Sequence, residues 1–189
     1  MVAEKPCRWG YNAYGELGDG STTQRTTPVR VRDDANFVEV AAAHYNTCAR
    51  RANGTVWCWG YNGYGEIGDG TTTHRSQPRQ KSGVDDAAGL FLPGWHRTCI
   101  LRENGTVWCS GYNAHGSLGD GTTTHRSQPV QVLGVANVVS VSQGTSGYGN
   151  MVTTADNETY VWGRNYNGSL GIGNANTQAY TRAQRLPGF

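Results

Sequence analysis

The side chains that could do chemistry here are five cysteines, five histidines, ten tyrosines and three repeated Asp-Arg pairs. Cys48 and Cys58 each stand five residues from Asn53, and Cys99 and Cys109 each stand five residues from Asn104. Asn-Gly pairs such as Asn53-Gly54 and Asn104-Gly105 favour tight hairpin turns. With that turn at the centre, each cysteine pair faces across neighbouring strands, Cβ atoms about 4.5–5.5 Å apart. A disulfide needs only modest closing from there. Disulfides Cys48-Cys58 and Cys99-Cys109 are therefore expected, and they imply an oxidising compartment. Buried thiols are the alternative, and zinc finds no unit with four clustered ligands. Cys7 is the odd one, at a position aligned with Trp57, either a lone thiol or an intermolecular link.

Catalytic patterns are missing. The sequence has no G-x-S-x-G, no H-E-x-x-H and no phosphate loop ending in G-K-[ST]. His74 and His125 share one repeat position, which Gln24 fills in the first copy. Repetition of that kind suits a surface or packing role. His44 and His96 fall at nearby offsets before a cysteine and read as hydrogen-bonded core or channel residues. Asp19, Asp69 and Asp120 each lie between two glycines, where a short carboxylate can accept turn N–H groups. Each Asp-Gly stretch supplies one carboxylate, whereas calcium takes about six to eight oxygens. Arg25, Arg75 and Arg126 are expected to pair with a neighbouring unit's carboxylates or carbonyls, or to bind an acidic ligand. Asn53, Asn104, Asn157 and Asn167 match glycosylation acceptors, though hairpin-turn chemistry explains the first two without sugar. No catalytic residue, metal or cofactor is assigned. What remains is a binding surface. Tyr11, Tyr14, Tyr61, Tyr64 and Tyr112, with Tyr148 and Tyr166, cluster beside the repeat starts, in company with His74, His115 and His125. Loop tyrosines are rigid amphipathic contacts suited to interfaces. The tryptophans are expected mostly in the core between units.

Composition narrows the elements that must hold these residues. Hydrophobic residues make up 37 % of the 189, charged residues 16 %, and glycine supplies 27. Low charge argues against a disordered polyelectrolyte, and no apolar run approaches the roughly 20 residues of a membrane helix. Few charges and many glycines leave little for long amphipathic helices, so an all-β chain rich in turns is expected. The net charge of +2 argues against nucleic acid as the main partner. Only Lys5 and Lys81 are lysines among 16 basic residues, which points to arginines in fixed geometries. The N-terminal MVAEKPCRWG has no charged segment followed by an apolar core, so no signal peptide is read in this sequence.

The decisive feature is internal repetition. GYNAYGELGDGSTTQRTTP runs from Gly10, GYNGYGEIGDGTTTHRSQP from Gly60 and GYNAHGSLGDGTTTHRSQP from Gly111. A weaker copy, GRNYNGSLGIGNANTQAYT, runs from Gly163. The starts lie 50, 51 and 52 residues apart. Leu17, Ile67, Leu118 and Leu170 give one apolar plug per block. Between blocks lie short β-rich runs, and in the last unit Met151 and Val161 replace the cysteine pair together. One unit reads as two strands, a tight turn, a third strand ending at Trp-Gly, the block, and an outer strand after the proline (Pro28, Pro78, Pro129). Four antiparallel strands in about 50 residues make one propeller blade.

The pattern W-G-x-N-x-x-G-x-L-G-x-G followed by T-x-x-R-[ST]-x-P resembles the regulator of chromosome condensation (RCC1) repeat. The resemblance covers nearly the whole chain and implies an all-β propeller of four-stranded blades, about four repeats here. Glu16, Glu66, Ser117 and Ser169 stand where the family commonly has Gln. The TCA…NGTVWCWG style is similar to the bacterial, exported branch, so an extracellular, cell-surface or periplasmic home is expected.

One domain, 1–189, is expected, with a partial blade at 1–35 and blades at 36–86, 87–136 and 137–189. Rings of this family usually close with about seven blades, and open strand edges are a liability for association. Two chains completing one ring, a fragment of a longer propeller, and an open body that polymerises are the three readings. The function expected is a non-catalytic binding or scaffold module that contacts a partner protein or its own copies through blade loops. No nucleic acid and no membrane insertion are expected. Nucleotide exchange on a small GTPase, as in the nuclear member, is the alternative implied by resemblance, and a structural subunit growing through open edges is another.

Overall fold

The structure, a computed structural model, describes residues 7–33, 36–94, 96–142 and 149–187. Tyr148 lies outside them. The described residues form fourteen strands and one short 3-10 turn, Tyr166–Gly168. A two-stranded sheet pairs β1 (Cys7–Gly10) with β2 (Arg25–Arg30). Three four-stranded antiparallel sheets follow. The first runs β3 (Phe37–Ala42), β4 (Asn46–Arg51), β5 (Val56–Gly60) and β6 (Arg75–Gln80). The second runs β7 (Ala87–Phe91), β8 (Arg97–Arg102), β9 (Val107–Gly111) and β10 (Arg126–Gln131). The third runs β11 (Val138–Ser142), β12 (Gly149–Thr154), β13 (Thr159–Arg164) and β14 (Ala179–Arg185). In each, strand order follows chain order, as in a propeller blade.

The Asn-Gly turns set the register. Cys48 lies opposite Cys58 and Cys99 opposite Cys109, and both pairs are disulfide-bonded. In the third sheet Met151 lies opposite Val161, an apolar pair in the same place. Cys7 pairs with Arg30 as Trp57 pairs with Gln80, so the alignment of Cys7 with Trp57 holds in three dimensions. The outer strands differ from expectation. They begin at Arg25, Arg75 and Arg126, and Pro28, Pro78 and Pro129 lie within them, where the register shifts. A missing N–H is tolerated on an edge strand.

Each of the first three blocks folds over the next sheet. The leucine or isoleucine plug of every block is buried (Leu17, Ile67, Leu118, Leu170). Gly20, Gly70 and Gly121 donate their N–H groups to the carbonyls of Ser76, Ser127 and Thr181 on the following outer strand. Gly15 and Gly65, both at positive φ, press so closely on that strand that a Cβ would collide with Ser76 or Ser127 backbone. The Glu16 carbonyl accepts the Trp59 indole N–H at 2.9 Å, and the Ser117 carbonyl accepts that of Trp162 at 3.0 Å. The core is therefore mainly between sheets.

Among the described tryptophans, only Trp59 and Trp162 fill that core fully. Trp57 and Trp108 are half-buried, lie under Arg51 and Arg102, and donate to Thr55 and Thr106. Trp9 stands in the first sheet where Trp59 stands in the second, yet is 63 % exposed against 0 %. No block among the described residues covers it.

Candidate functional site

A buried asparagine organises each block. Asn62 Nδ2 donates to the Thr71 and Thr73 carbonyls, while its Oδ1 accepts the Ile67 N–H. Asn12, Asn113 and Asn165 repeat the bond to the plug residue's N–H. The aspartates cap the same turns, as expected. Asp69 Oδ1 accepts the Thr71 N–H and hydroxyl, and Oδ2 accepts Arg75 Nε and Nη2 at 2.9 and 2.6 Å. Asp19–Arg25 and Asp120–Arg126 repeat this pairing. The arginines thus serve their own block's aspartate six residues back, not a neighbouring sheet. The spacing across the turn brings them together before any other sheet is in reach. Burial alone would push these carboxyls up. Hydrogen bonds from the turn and the arginine outweigh it and hold all three below the usual carboxylate range.

Above these turns runs a band of rings. The antiparallel pairing of Asn46 with Gly60 and of Arg97 with Gly111 brings the start of the second strand beside the end of the third. Tyr61 N–H then reaches the Tyr45 carbonyl, and Tyr112 N–H the His96 carbonyl, each at 2.8 Å. From one end, Tyr11 meets Tyr14 at 6.4 Å between centroids, and Tyr14 meets Tyr61 and His74 at 5.0 Å each. Tyr61 stacks on His74 at 4.7 Å and meets His96 at 4.9 Å. Tyr64 bridges His96, Tyr112 and His125 at 4.9–5.3 Å. Tyr112 stacks on His125 at 4.9 Å and meets His115 at 5.9 Å. All eight residues singled out as a binding surface therefore join one continuous band, while Tyr166 instead lies beneath Arg164.

His74 Nδ1 accepts the Asn62 N–H, and His125 Nδ1 accepts that of Asn113, both at 2.9 Å. Those bonds place the neutral ring's proton on Nε2. The His115 imidazole is pushed down by burial and by Arg164 and Arg97. Burial, then the Glu66, Tyr64 and Tyr14 charges, push the Tyr61 phenol up.

Sequence reasoning missed Tyr45 and did not place His96, Glu16 or Glu66 in the band, although His96 is hydrogen-bonded as expected. Tyr45 and His96 share one place in the band, each three residues before the first cysteine of its pair; the match is with Tyr45, not His44. Counting back from Cys48 and Cys99 finds them. Glu16 and Glu66 lie buried beneath the rings. Glu66 Oε1 meets His96 Nδ1 at 3.1 Å, and Oε2 accepts the Tyr64 N–H. His96 has φ 59°, a costly backbone for a non-glycine residue. Among the described residues no three His, Cys, Asp or Glu side chains gather as a metal site.

The match to known proteins settles the family. The model of the regulator of chromosome condensation (RCC1) repeat fits residues 8–50, 53–87 and 104–148, well over half of the chain. The chain belongs to the RCC1 repeat family. The ultraviolet-B receptor UVR8 of Arabidopsis thaliana is 31 % identical over 87 % of this chain. The chain spans 38 % of that receptor's length. Human WBSCR16 superposes with a TM-score of 0.79 at 22 % identity, over 98 % of this chain and 48 % of its own. Yeast RCC1 (Prp20), solved bound to Kap60, superposes at 0.78 and 16 % identity, over 96 % and 44 %. The fold is that of the RCC1-like β-propeller.

Proposed function

We propose that this chain is a non-catalytic RCC1-type propeller module that binds a partner protein, or its own copies, through the ring band on its blade loops. The observation that carries this reading is the continuity of the band. Phenol and imidazole rings of three successive blocks touch edge to face or stack, and most are half-exposed. Such rings offer large, rigid contact area with polar tips, the composition of protein interfaces. The yeast relative's complex with Kap60 supports protein binding as a use of this fold. Exposed Trp9, Val38, Val40 and Val139 support self-assembly as one form of it. The two disulfides support export to an oxidising compartment. His74, His125 and the three block aspartates are each held in turn-forming bonds, which supports a binding role over acid–base catalysis.

The test compares native protein with a Tyr64→Ser, Tyr112→Ser variant. Light scattering reports self-association, and quantitative capture reports partner binding. Association weakened in the variant is expected. Equal association in both, or acceleration of guanine-nucleotide release from a small GTPase, would overturn the reading.

A further inference from the structure

The two glutamates beneath the band have the same place in their blocks but different partners. In the second block, Tyr61, Tyr64 and His96 lie 4.9–6.3 Å apart around Glu66. There a ring nitrogen, His96 Nδ1, sits 3.1 Å from Glu66 Oε1. In the first block, Tyr11, Tyr14 and Tyr45 lie 5.8–6.4 Å apart around Glu16. Glu16 Oε2 accepts the Tyr14 N–H at 2.9 Å, as Glu66 Oε2 accepts that of Tyr64. Tyr45 replaces the imidazole, and Glu16 Oε1 is left buried without a hydrogen-bond partner. Glu16 is 8 % exposed. Such an oxygen is expensive to leave unpaired.

We propose that Tyr11, Tyr14 and Tyr45, over Glu16, form a receptor for an alkylammonium group, supplied by a lysine side chain of a partner protein. The inference rests on the reading of the band as a protein-binding surface and names what one end of it recognises. A cation on the faces of several tyrosines gains attraction from each ring quadrupole. A carboxylate beneath, shielded from water, adds charge at short range. Arg8 lies within electrostatic reach of Glu16, but its guanidinium bonds to the Thr47 hydroxyl and not to the carboxylate. His74 also acts on Glu16 from the next block. Burial pushes the Glu16 carboxyl up and outweighs the backbone N–H groups of Glu16, Tyr14 and Gly15 and the pull of His74, so an incoming cation would meet a group that gains from it. Tyr11 is more than half exposed and is the ring that can turn to admit a ligand.

Two substitutions copy arrangements that this fold already holds. Glu16→Ser copies Ser117 of the third block. Tyr45→His copies His96 and would set an internal imidazole on the open oxygen. Tyr11→Ser removes an exposed ring and does not touch the core. The probes are Nα-acetyl-lysine amide and tetramethylammonium chloride, titrated against labelled tyrosine ring signals, with sodium chloride at equal ionic strength as control. Saturable shifts at Tyr11, Tyr14 and Tyr45 with the lysine amide are expected, weakened at least about tenfold in the variants that fold. No saturable shift, or equal affinity in native protein and those variants, would overturn the inference. A response to tetramethylammonium alone would overturn lysine as the source. Partner binding that protects Tyr64 and Tyr112, with no lysine response at Tyr11, would sink this inference and leave the band reading standing.

Discussion

Lys81 Nζ donates to Ser110 Oγ at 2.6 Å, in the place that a tryptophan indole fills at the equivalent junctions. Ser110 lies opposite Thr98 as Trp59 lies opposite Thr47 and Trp162 opposite Asn150. Lys81 occupies the position of Val31 and Val132, both buried. A Trp–Val pair has thus become a Ser–Lys pair. The ammonium also reaches the Glu66 and Ile67 carbonyls at 3.2 Å and Thr98 Oγ1 at 2.6 Å, so the buried cation is well solvated by protein oxygens.

The two positions are therefore coupled. Lys81→Val alone removes four hydrogen bonds and opens a void, and Ser110→Trp alone drives an indole into the lysine. Each is expected to destabilise by about 1–3 kcal/mol. The double variant rebuilds the arrangement of the other junctions and is expected to recover most of the loss. Denaturant unfolding of the four proteins measures the coupling. Simple additivity would contradict it.

Burial lowers the Lys81 ammonium to about 7 from 10.5, with Glu66 and Asp69 opposing the shift. Between those values an unfolded lysine binds a proton that the folded one has released. Stability therefore rises with pH across that window and is lost as pH falls through about 7. Unfolding free energy against pH is expected to be flatter for Lys81→Met than for native protein.

The block aspartates act at the acid end. Their carboxyls are held low in the folded state, so their contribution is present above the ordinary carboxylate range and fades as pH falls through the lowered values. Asp69→Asn is expected to lower stability at neutral pH and to shrink the acid-induced loss. Acid titration of the circular dichroism signal checks both.

Each disulfide joins cysteines 10 residues apart. On the chain-entropy argument, removing one is expected to cost about 2–3 kcal/mol. Cys99→Met with Cys109→Val copies Met151 and Val161 and is expected to keep the fold at reduced stability. Thermal unfolding with and without reductant gives the comparison.

The fold was legible because its turns repeat. Plug residues, capping aspartates and the Asn-Gly register all announce themselves at fixed spacing, and the disulfides follow from that register. The band was legible in eight of its rings for the same reason. The missing members obey a different logic. Tyr45 and His96 match only when counted back from their cysteines, since neither the residue type nor the segment before it repeats. The Lys81–Ser110 exchange is hidden because its two halves are 29 residues apart and belong to different sheets. Each alone reads as an ordinary departure from the repeat. Asn12, Asn62 and Asn113 repeat perfectly, but the type alone does not tell a buried organiser from a turn residue.

Covalent footprinting of tyrosine and histidine side chains tests the proposed binding surface most directly, comparing the free chain with the chain in its associated state. Protection centred on Tyr64, Tyr112 and His125, with Trp57 and Trp108 unchanged, is the expected result. Full reactivity of the band in the associated state, with protection on the outer strands around Pro78 and Pro129, would contradict it.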